Sequence, residues 1–318
     1  MIDILFVVLP GTLLLDLAGP AEAFRLANQR LVQRGQACAY RLRYTGPCAE
    51  AATSVGATLA ALEPLPATLA GPTRVVLLGQ PSGAESPLRR PLPRAWTDTR
   101  RWLAQVVAPQ LGQAASLVTV CAGALLAADA GLLGSRRCTT HHEMLADLQR
   151  LAPAATVLAN RVFVIDGPLA SSAGITAGID LALHLIALDL GDAMAAAVGQ
   201  VMVVYLRRGP EDPELSPLLA GRNHLHPAVH RVQDALCGQP DKPWSLQAMA
   251  EVAHVTPRHL SRLFSQHVGC APRQYLQAVR VALAHGAMQG GQPRKQALAA
   301  AGIAGDRQWR RLRPAGRN

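Results

Sequence analysis

Ser116-Leu117-Val118-Thr119-Val120-Cys121-Ala122-Gly123 is a short apolar run of β type that passes directly into a cysteine, a small residue and a glycine. A run buried on both faces and followed at once by a helical pattern, here Ala124 to Ala130, is the sequence form of a strand in a parallel sheet. The same reading extends in both directions. Ile2 to Leu9 is nearly continuous in apolar residues and ends in Pro10-Gly11, Tyr40 to Thr45 alternates, and Arg74 to Gly79 is another doubly buried run. Leu17 to Gln33, Trp96 to Leu111 and Ile179 to Leu190 read as helices, and Val162 to Asp166 with Gly167-Pro168 reads as one arm of a hairpin. Strand and helix in alternation predict an α/β body with a mostly parallel sheet and helices on both faces.

At 318 residues the chain has room for two domains, and half of it is hydrophobic against 16% charged, which supports packed cores and argues against general disorder. The net charge of +10 sits almost wholly in the tail. Residues 229–318 hold 13 Lys and Arg against 4 Asp and Glu, whereas residues 1–228 hold 18 against 17. A near-neutral body with a basic tail points to a polyanion as the tail's partner. Only two of the 31 basic residues are Lys, which suits bidentate arginine contacts; a general preference for Arg gives the same count. The apolar stretch Ile4 to Leu15 is 12 residues long, bounded by Asp3 and Asp16 and without a preceding basic residue, so it predicts neither a membrane span nor a signal peptide. Ala193 to Leu206, interrupted by Gln200, is equally short. Six cysteines (38, 48, 121, 138, 237 and 270) without a CxxC spacing suggest neither zinc nor disulfides. The expectation is a cytoplasmic protein with reduced thiols, no metal and no cofactor.

Residues 207–228 are rich in Pro and charge and read as a linker, giving a body at 1–191, a helix and linker at 192–228, and a tail domain at 229–318. The tail shows short helices separated by tight turns, at about 231–237, 246–253, 257–266, 272–288, 294–301 and 306–312. Ser245 suits an N-cap for a helix whose apolar face carries Leu246, Met249, Ala250 and Ala253. After the turn His254-Val255, Thr256 caps a second helix with Pro257 at its first position. Leu260, Leu263 and Phe264 form its apolar face and leave Arg258, Ser261 and Arg262 on the other. Two short helices about a tight turn are the outline of a helix-turn-helix, whose second helix enters the DNA major groove. A helical hairpin with a solvated basic face fits the same spacing.

The run from Ala250 through Thr256, Arg258, Leu260, Arg262 and Phe264, followed by Gly269-x-x-Pro272-x-x-Tyr275 and Arg280-x-x-x-Ala284, closely resembles the AraC/XylS regulator family over about 90 residues. The resemblance implies an all-α domain with two helix-turn-helix units joined by a long helix from Pro272 to Met288, and places Arg258, Ser261 and Arg262 where the family reads bases. The second unit departs from the pattern. Gly302, Trp309 and Arg311 match, but Ile303 replaces the usual Phe, Leu298 stands where Ala is favoured, Arg313 stands where an aromatic is expected, and the closing element is missing before Asn318. A loosely docked second helix is the expectation, with Arg307, Arg310 and Arg311 attracting phosphates more than reading bases.

In the body, Leu15-Asp-Leu-Ala-Gly-Pro-Ala-Glu22-Ala-Phe24, Cys121-Ala-Gly, Thr139-Thr-His141 and Ser172-Ala-Gly-Ile-Thr-Ala-Gly-Ile-Asp180 resemble the PfpI/ThiJ family over about 1–190. With the tail, this is similar to the GlxA-type regulators, and it implies a flavodoxin-like, class I glutamine amidotransferase-like body. A cysteine at a strand-to-helix elbow is exposed above the sheet edge beside a helix N-terminus that lowers its pKa, although a small buried apolar cysteine fits equally. The resemblance makes Cys121 the nucleophile position, with Glu22 or Asp16 as the neighbouring carboxylate. Asp16 also matches isonitrile hydratase-like relatives through the Leu-Asp-x-x-Gly-Pro run. His141 either orients the thiol or belongs to a helix cap made by Thr139 or Thr140. Asp16, Glu22, Cys121, Ala122 and His141 are therefore the candidate pocket, at the C-terminal strand ends where open α/β sheets bind ligands. The resemblance implies double-stranded DNA, a small-molecule effector, a second copy of the chain and RNA polymerase as partners; effector binding is expected to act through the helix at 192–206 and the linker. A cysteine-dependent hydrolase or hydratase with a DNA-tethering tail, and a redox sensor at Cys121, remain as alternatives.

Overall fold

The first strand, β1 (Ile2–Val7), is apolar on both faces and completely buried from Ile4 onward, and it takes the middle of a sheet. The computed structural model describes residues 1–81, 92–204, 208–210, 224, 226–289 and 292–312. They fall into two units, Met1–Glu214 and Leu215–Asn318.

In the first unit β1 is followed by α1 (Leu14–Gln33), β2 (Tyr40–Gly46), the short strands β3 (Ala51–Ala52), β4 (Thr58–Leu59) and β5 (Glu63–Pro64), and then β6 (Thr73–Leu77). Next come α2 (Arg94–Trp102), β7 (Ala115–Val120), α3 (Gly123–Asp129), β8 (Arg137–Cys138), α4 (Leu145–Leu151) and β9 (Thr156–Val157). The unit closes with β10 (Phe163–Asp166), β11 (Leu169–Ser172), α5 (Thr176–Leu190) and α6 (Asp192–Val201). The main sheet has the order β10-β11-β7-β6-β1-β2-β5. All its pairs are parallel except the hairpin β10–β11, in which Phe163 lies opposite Ser172. The expected α/β body is therefore present, with the hairpin at 162–166 as an antiparallel edge.

The helix expected over Trp96–Leu111 changes pitch along its length. After α2 it widens into a π turn at Leu103–Val107 and tightens into a 3-10 turn at Ala108–Gln110. Pro109 has no N–H to give the Gln105 carbonyl, so an α-helical ladder cannot continue there. The apolar helix expected to reach Leu206 ends earlier, at Val201. Val203 takes φ 55° and the Val204 N–H turns back to the Gly199 carbonyl at 2.9 Å, which closes the helix. Met194, Ala195 and Val198 of α6 are buried in the body's core. Most of the 207–228 linker lies outside the described residues, as does Arg313.

The second unit holds α7 (Pro227–Gly238), α8 (Leu246–Ala253), α9 (Pro257–His267), α10 (Pro272–Gln289), α11 (Arg294–Ala300) and α12 (Asp306–Leu312), and no strand among the described residues. The helix expected from 231 begins at Pro227, whose ring suits a first helical position, and it buries Ala228 and Val229. Ser245 Oγ accepts the Ala248 N–H at 3.0 Å and Thr256 Oγ1 accepts the His259 N–H at 3.3 Å, so both predicted caps form. Arg280 of α10 donates to the carbonyls of Pro240 at 2.7 Å and Lys242 at 2.9 Å, pinning the long helix to the α7–α8 loop.

Two small cores support this unit. Val229, Val232, Leu236, Met249, Leu260, Leu263, Phe264, Tyr275 and Val279 make the first; Ala284, Leu298, Ala301, Ile303 and Trp309 make the second. In the second core the departures from the family pattern offset each other. Leu298 is larger than the favoured Ala, Ile303 is smaller than the usual Phe, and both are buried, so the volume beside Trp309 is kept. Contrary to the expected loose docking, α12 is seated by Trp309, which is 2% exposed, and by an Arg294–Asp306 ion pair at 2.7 Å. Trp309→Ala is expected to cost the second core roughly 3–5 kcal/mol. Amide exchange at Ile303 and residue 309 will then accelerate strongly while that at Leu260 stays near the wild-type rate.

Candidate functional site

Cys121 follows β7 directly and sits in the left-handed region at φ 55°, which a non-glycine residue adopts only where its surroundings hold it. Its N–H donates to the Ser172 carbonyl at 3.0 Å, and its carbonyl accepts the Thr140 hydroxyl at 2.8 Å. Gly174, after β11, makes room for it. At φ 103° a Cβ there would lie 2.3 Å from the Cys121 Cβ and 2.8 Å from its Sγ. Cys121 is 3% exposed, so the elbow is sunk between strand ends rather than standing above them.

Asp16, in the first turn of α1, is the carboxylate beside this thiol. It is fully buried and takes three hydrogen bonds: from the Ile175 N–H at 2.7 Å, from the Gly79 N–H at 3.2 Å, and from the Cys121 thiol. Burial penalises its charge and pushes its pKa up to about 6, with the three donors holding it from rising further. Pro20, four residues on, has no N–H for the Asp16 carbonyl, so the turn carrying Asp16 is only partly committed to the helix.

Glu22 does not share this place. It is exposed and paired with Arg25 at 2.7 Å, because its position on α1 faces away from the sheet. Of the two carboxylates left open by the sequence, Asp16 is the one at the thiol. Ala122 is buried at the start of α3, beside Cys121. His141 is half-buried, its ring 4.2 Å from that of His142 and its Nδ1 3.8 Å from Glu143 Oε2. The cap expected from Thr139 or Thr140 does not form, since their hydroxyls donate to the carbonyls of Leu158 and Cys121 instead. Gly79, Gly174 and Ile175 were not among the expected site residues. Their sequence signal was the strand-to-helix turn that each shares with Cys121.

On the helical unit, Arg258 and Arg262 are exposed on the open face of α9, with Leu260, Leu263 and Phe264 buried behind them. Arg262 Nη2 lies 3.1 Å from His259 Nδ1. Ser261, half-buried, donates its hydroxyl to the Pro257 carbonyl at 3.0 Å. Arg307, Arg310 and Arg311 are exposed on α12 around the buried Trp309. Among the described residues no helix is long and apolar enough to cross a membrane, and no cluster of three or more His, Cys, Asp or Glu is arranged to hold a metal.

Comparison with known proteins fits this architecture. Residues 94–188 match the DJ-1/PfpI family and residues 249–311 match a helix-turn-helix domain. The chain thus joins a DJ-1/PfpI-type domain to an AraC-type helix-turn-helix domain. It is 30% identical over 172 residues to the HTH-type transcriptional regulator GbdR of Pseudomonas aeruginosa, covering 54% of this chain and 47% of that protein. Over 114 residues it is 39% identical to the isonitrile hydratase of Pseudomonas putida, covering 34% of this chain and 47% of that one. These matches span about half the length of the curated relatives. A solved AraC family transcriptional regulator from Pseudomonas putida superposes with a TM-score of 0.51 at 18% identity, over 64% of this chain and all of that one, a likeness of fold.

Folded Asp16 keeps its proton up to about pH 6, whereas an unfolded aspartate releases it near pH ~4. Its contribution to stability is therefore complete below about pH 4 and is lost as pH rises through about 6, by roughly 3 kcal/mol at most. A carboxyl signal titrating near 6 in carbon-detected NMR, absent in Asp16→Asn, is the expected outcome; a midpoint near 4 would place the group in a wetter setting.

Proposed function

We propose that this protein is a sequence-specific, DNA-binding transcriptional regulator whose α/β body senses a small molecule. The observation that carries the reading is the pairing, in one chain, of a capped helix-turn-helix presenting Arg258 and Arg262 with a buried Asp16–Cys121 site in an enzyme-like fold. The relatives named as HTH-type regulators support it.

In this reading α9 lies in the major groove, where a guanidinium can donate two hydrogen bonds to one guanine. Ser261 contributes a further contact, and Arg307, Arg310 and Arg311 of α12 address an adjacent segment, largely through phosphates. The effector enters at the strand ends around Asp16, Ala122, Cys121 and His141 and shifts an existing equilibrium of the body. Action as a homodimer in the cytoplasm, with RNA polymerase as a further partner, completes the proposal.

The hydrogen-bonded Cys121–Asp16 pair and the isonitrile hydratase relative favour one second reading, a cysteine-dependent hydratase or hydrolase. Hydration of isonitriles by the purified protein, lost in Cys121→Ala, is its signature; no turnover under conditions that support specific DNA binding leaves the regulator.

The regulator reading is tested by titrating the purified chain against its own upstream DNA and a scrambled duplex over a range of salt. Binding at least about a thousandfold tighter to the upstream DNA is expected. Equal, weak binding that vanishes with salt would reduce the helical unit to an electrostatic tether. Arg262→Ala is expected to cost roughly 1–3 kcal/mol and to relax the preference at one base position. A loss equal on every sequence would assign Arg262 to a phosphate.

A further inference from the structure

Asp16 touches more than the thiol. Its Oδ1 holds the N–H of Ile175, a β-branched residue at φ 49°, ψ −112°, where such a side chain is strained. The next residue, Thr176, opens α5, and the first turn of that helix is gripped from elsewhere in the unit by Arg208. Arg208 Nη2 donates to Thr176 Oγ1 at 2.9 Å and lies 2.7 Å from Asp180 Oδ2, its Nε donates to Asp180 Oδ2 at 2.9 Å, and its backbone N–H donates to Asp180 Oδ1 at 3.1 Å. With the Asp180 side chain only 4% exposed, this forked pair is shielded from the water and salt that weaken surface ion pairs.

The far end of α5 is fixed independently. Asp189 accepts from Arg74 on β6 and from the Tyr40 hydroxyl on β2, so the end of α5 free to respond is its first turn. In sequence, Arg208 lies beyond α6 and at the start of the 207–228 linker. One helical turn therefore has the Asp16–Cys121 site on one side and Arg208 on the other.

We infer that this turn is a relay: Asp16 restrains the strained Ile175 peptide, and the state of that peptide sets how firmly Thr176 and Asp180 hold Arg208. A small molecule that hydrogen-bonds the Asp16 carboxylate competes with the Ile175 N–H, lets residue 175 relax, tilts the first turn of α5 and loosens the clamp at the start of the linker. The inference rests on the reading of this site as the sensor, and it replaces α6 by the first turn of α5 as the element that carries the signal.

The test is hydrogen exchange at the Arg208 amide in the full-length protein, measured for wild type, Asp16→Asn, Asp180→Asn and the double variant. Asp180→Asn removes the charge and the second oxygen that hold the Arg208 guanidinium, leaving a single acceptor, and is expected to loosen the clamp and speed exchange of that amide about tenfold or more. Asp16→Asn, made far from Arg208 in sequence, is expected to speed it comparably, with the double variant no faster than Asp180→Asn alone. Ile175→Gly, which takes positive φ without strain and keeps its N–H on Asp16, removes the drive to relax, so it is expected to leave Arg208 near the wild-type rate and to suppress the acceleration by Asp16→Asn. The relay is overturned if Asp16→Asn leaves Arg208 at the wild-type rate, if Ile175→Gly fails to suppress the effect of Asp16→Asn, or if Asp180→Asn leaves Arg208 at the wild-type rate. DNA affinity measured on the same variants separates the two ideas. Faster exchange at Arg208 with unchanged DNA affinity upholds the relay and removes the sensor reading.

Discussion

One buried carboxylate joins the ends of the body's central strands. Asp16 accepts hydrogen bonds from the loop after β6, from the start of α5 and from the thiol that follows β7, while itself belonging to the helix that follows β1. A charge placed there is costly, because burial penalises it and the three donors only partly offset that penalty. The fold keeps it by surrounding Asp16 with backbone N–H groups, a left-handed Cys121, a left-handed Ile175 and a glycine that leaves space for the sulfur. Such a site is sensitive by construction: removing or replacing any one donor changes the balance for the others. That sensitivity suits a sensor and a catalyst alike.

The helical unit follows a different logic. Its cores are small, and its order comes from caps, a short left-handed turn at His254 and the Arg280 contacts to the α7–α8 loop. The second helix-turn-helix departs from the family pattern in sequence at Leu298 and Ile303, yet the two departures compensate in volume around Trp309. Apolar residues thus face inward on both α9 and α12, and arginines face outward on both.

Much of this was legible in the sequence because burial on two faces leaves a continuous apolar run, and because Ser245, Thr256 and Pro257 are residues whose chemistry marks helix starts. The strand ending in Cys121 and the hairpin at Val162–Asp166 were readable for the first reason, α8 and α9 for the second. Other features were not. Nothing in the letters of α1 says which of Asp16 and Glu22 turns inward, since both lie within two turns of the same helix. The pitch change before Pro109 and the early stop of α6 depend on where particular carbonyls find donors. The grip of Arg208 on Thr176 and Asp180 joins residues about thirty apart through tertiary packing, which local patterning does not encode.

The proposed function puts two arginine-bearing helices of one chain on neighbouring stretches of a duplex, α9 on base edges and α12 largely on phosphates. Hydroxyl-radical footprinting of the full-length protein on its own upstream DNA addresses that directly. Two protected tracts on one face, separated by about one helical turn or ~10 base pairs, are the expected pattern. Even, position-independent protection across the fragment would contradict it and leave the basic unit as a non-specific anchor.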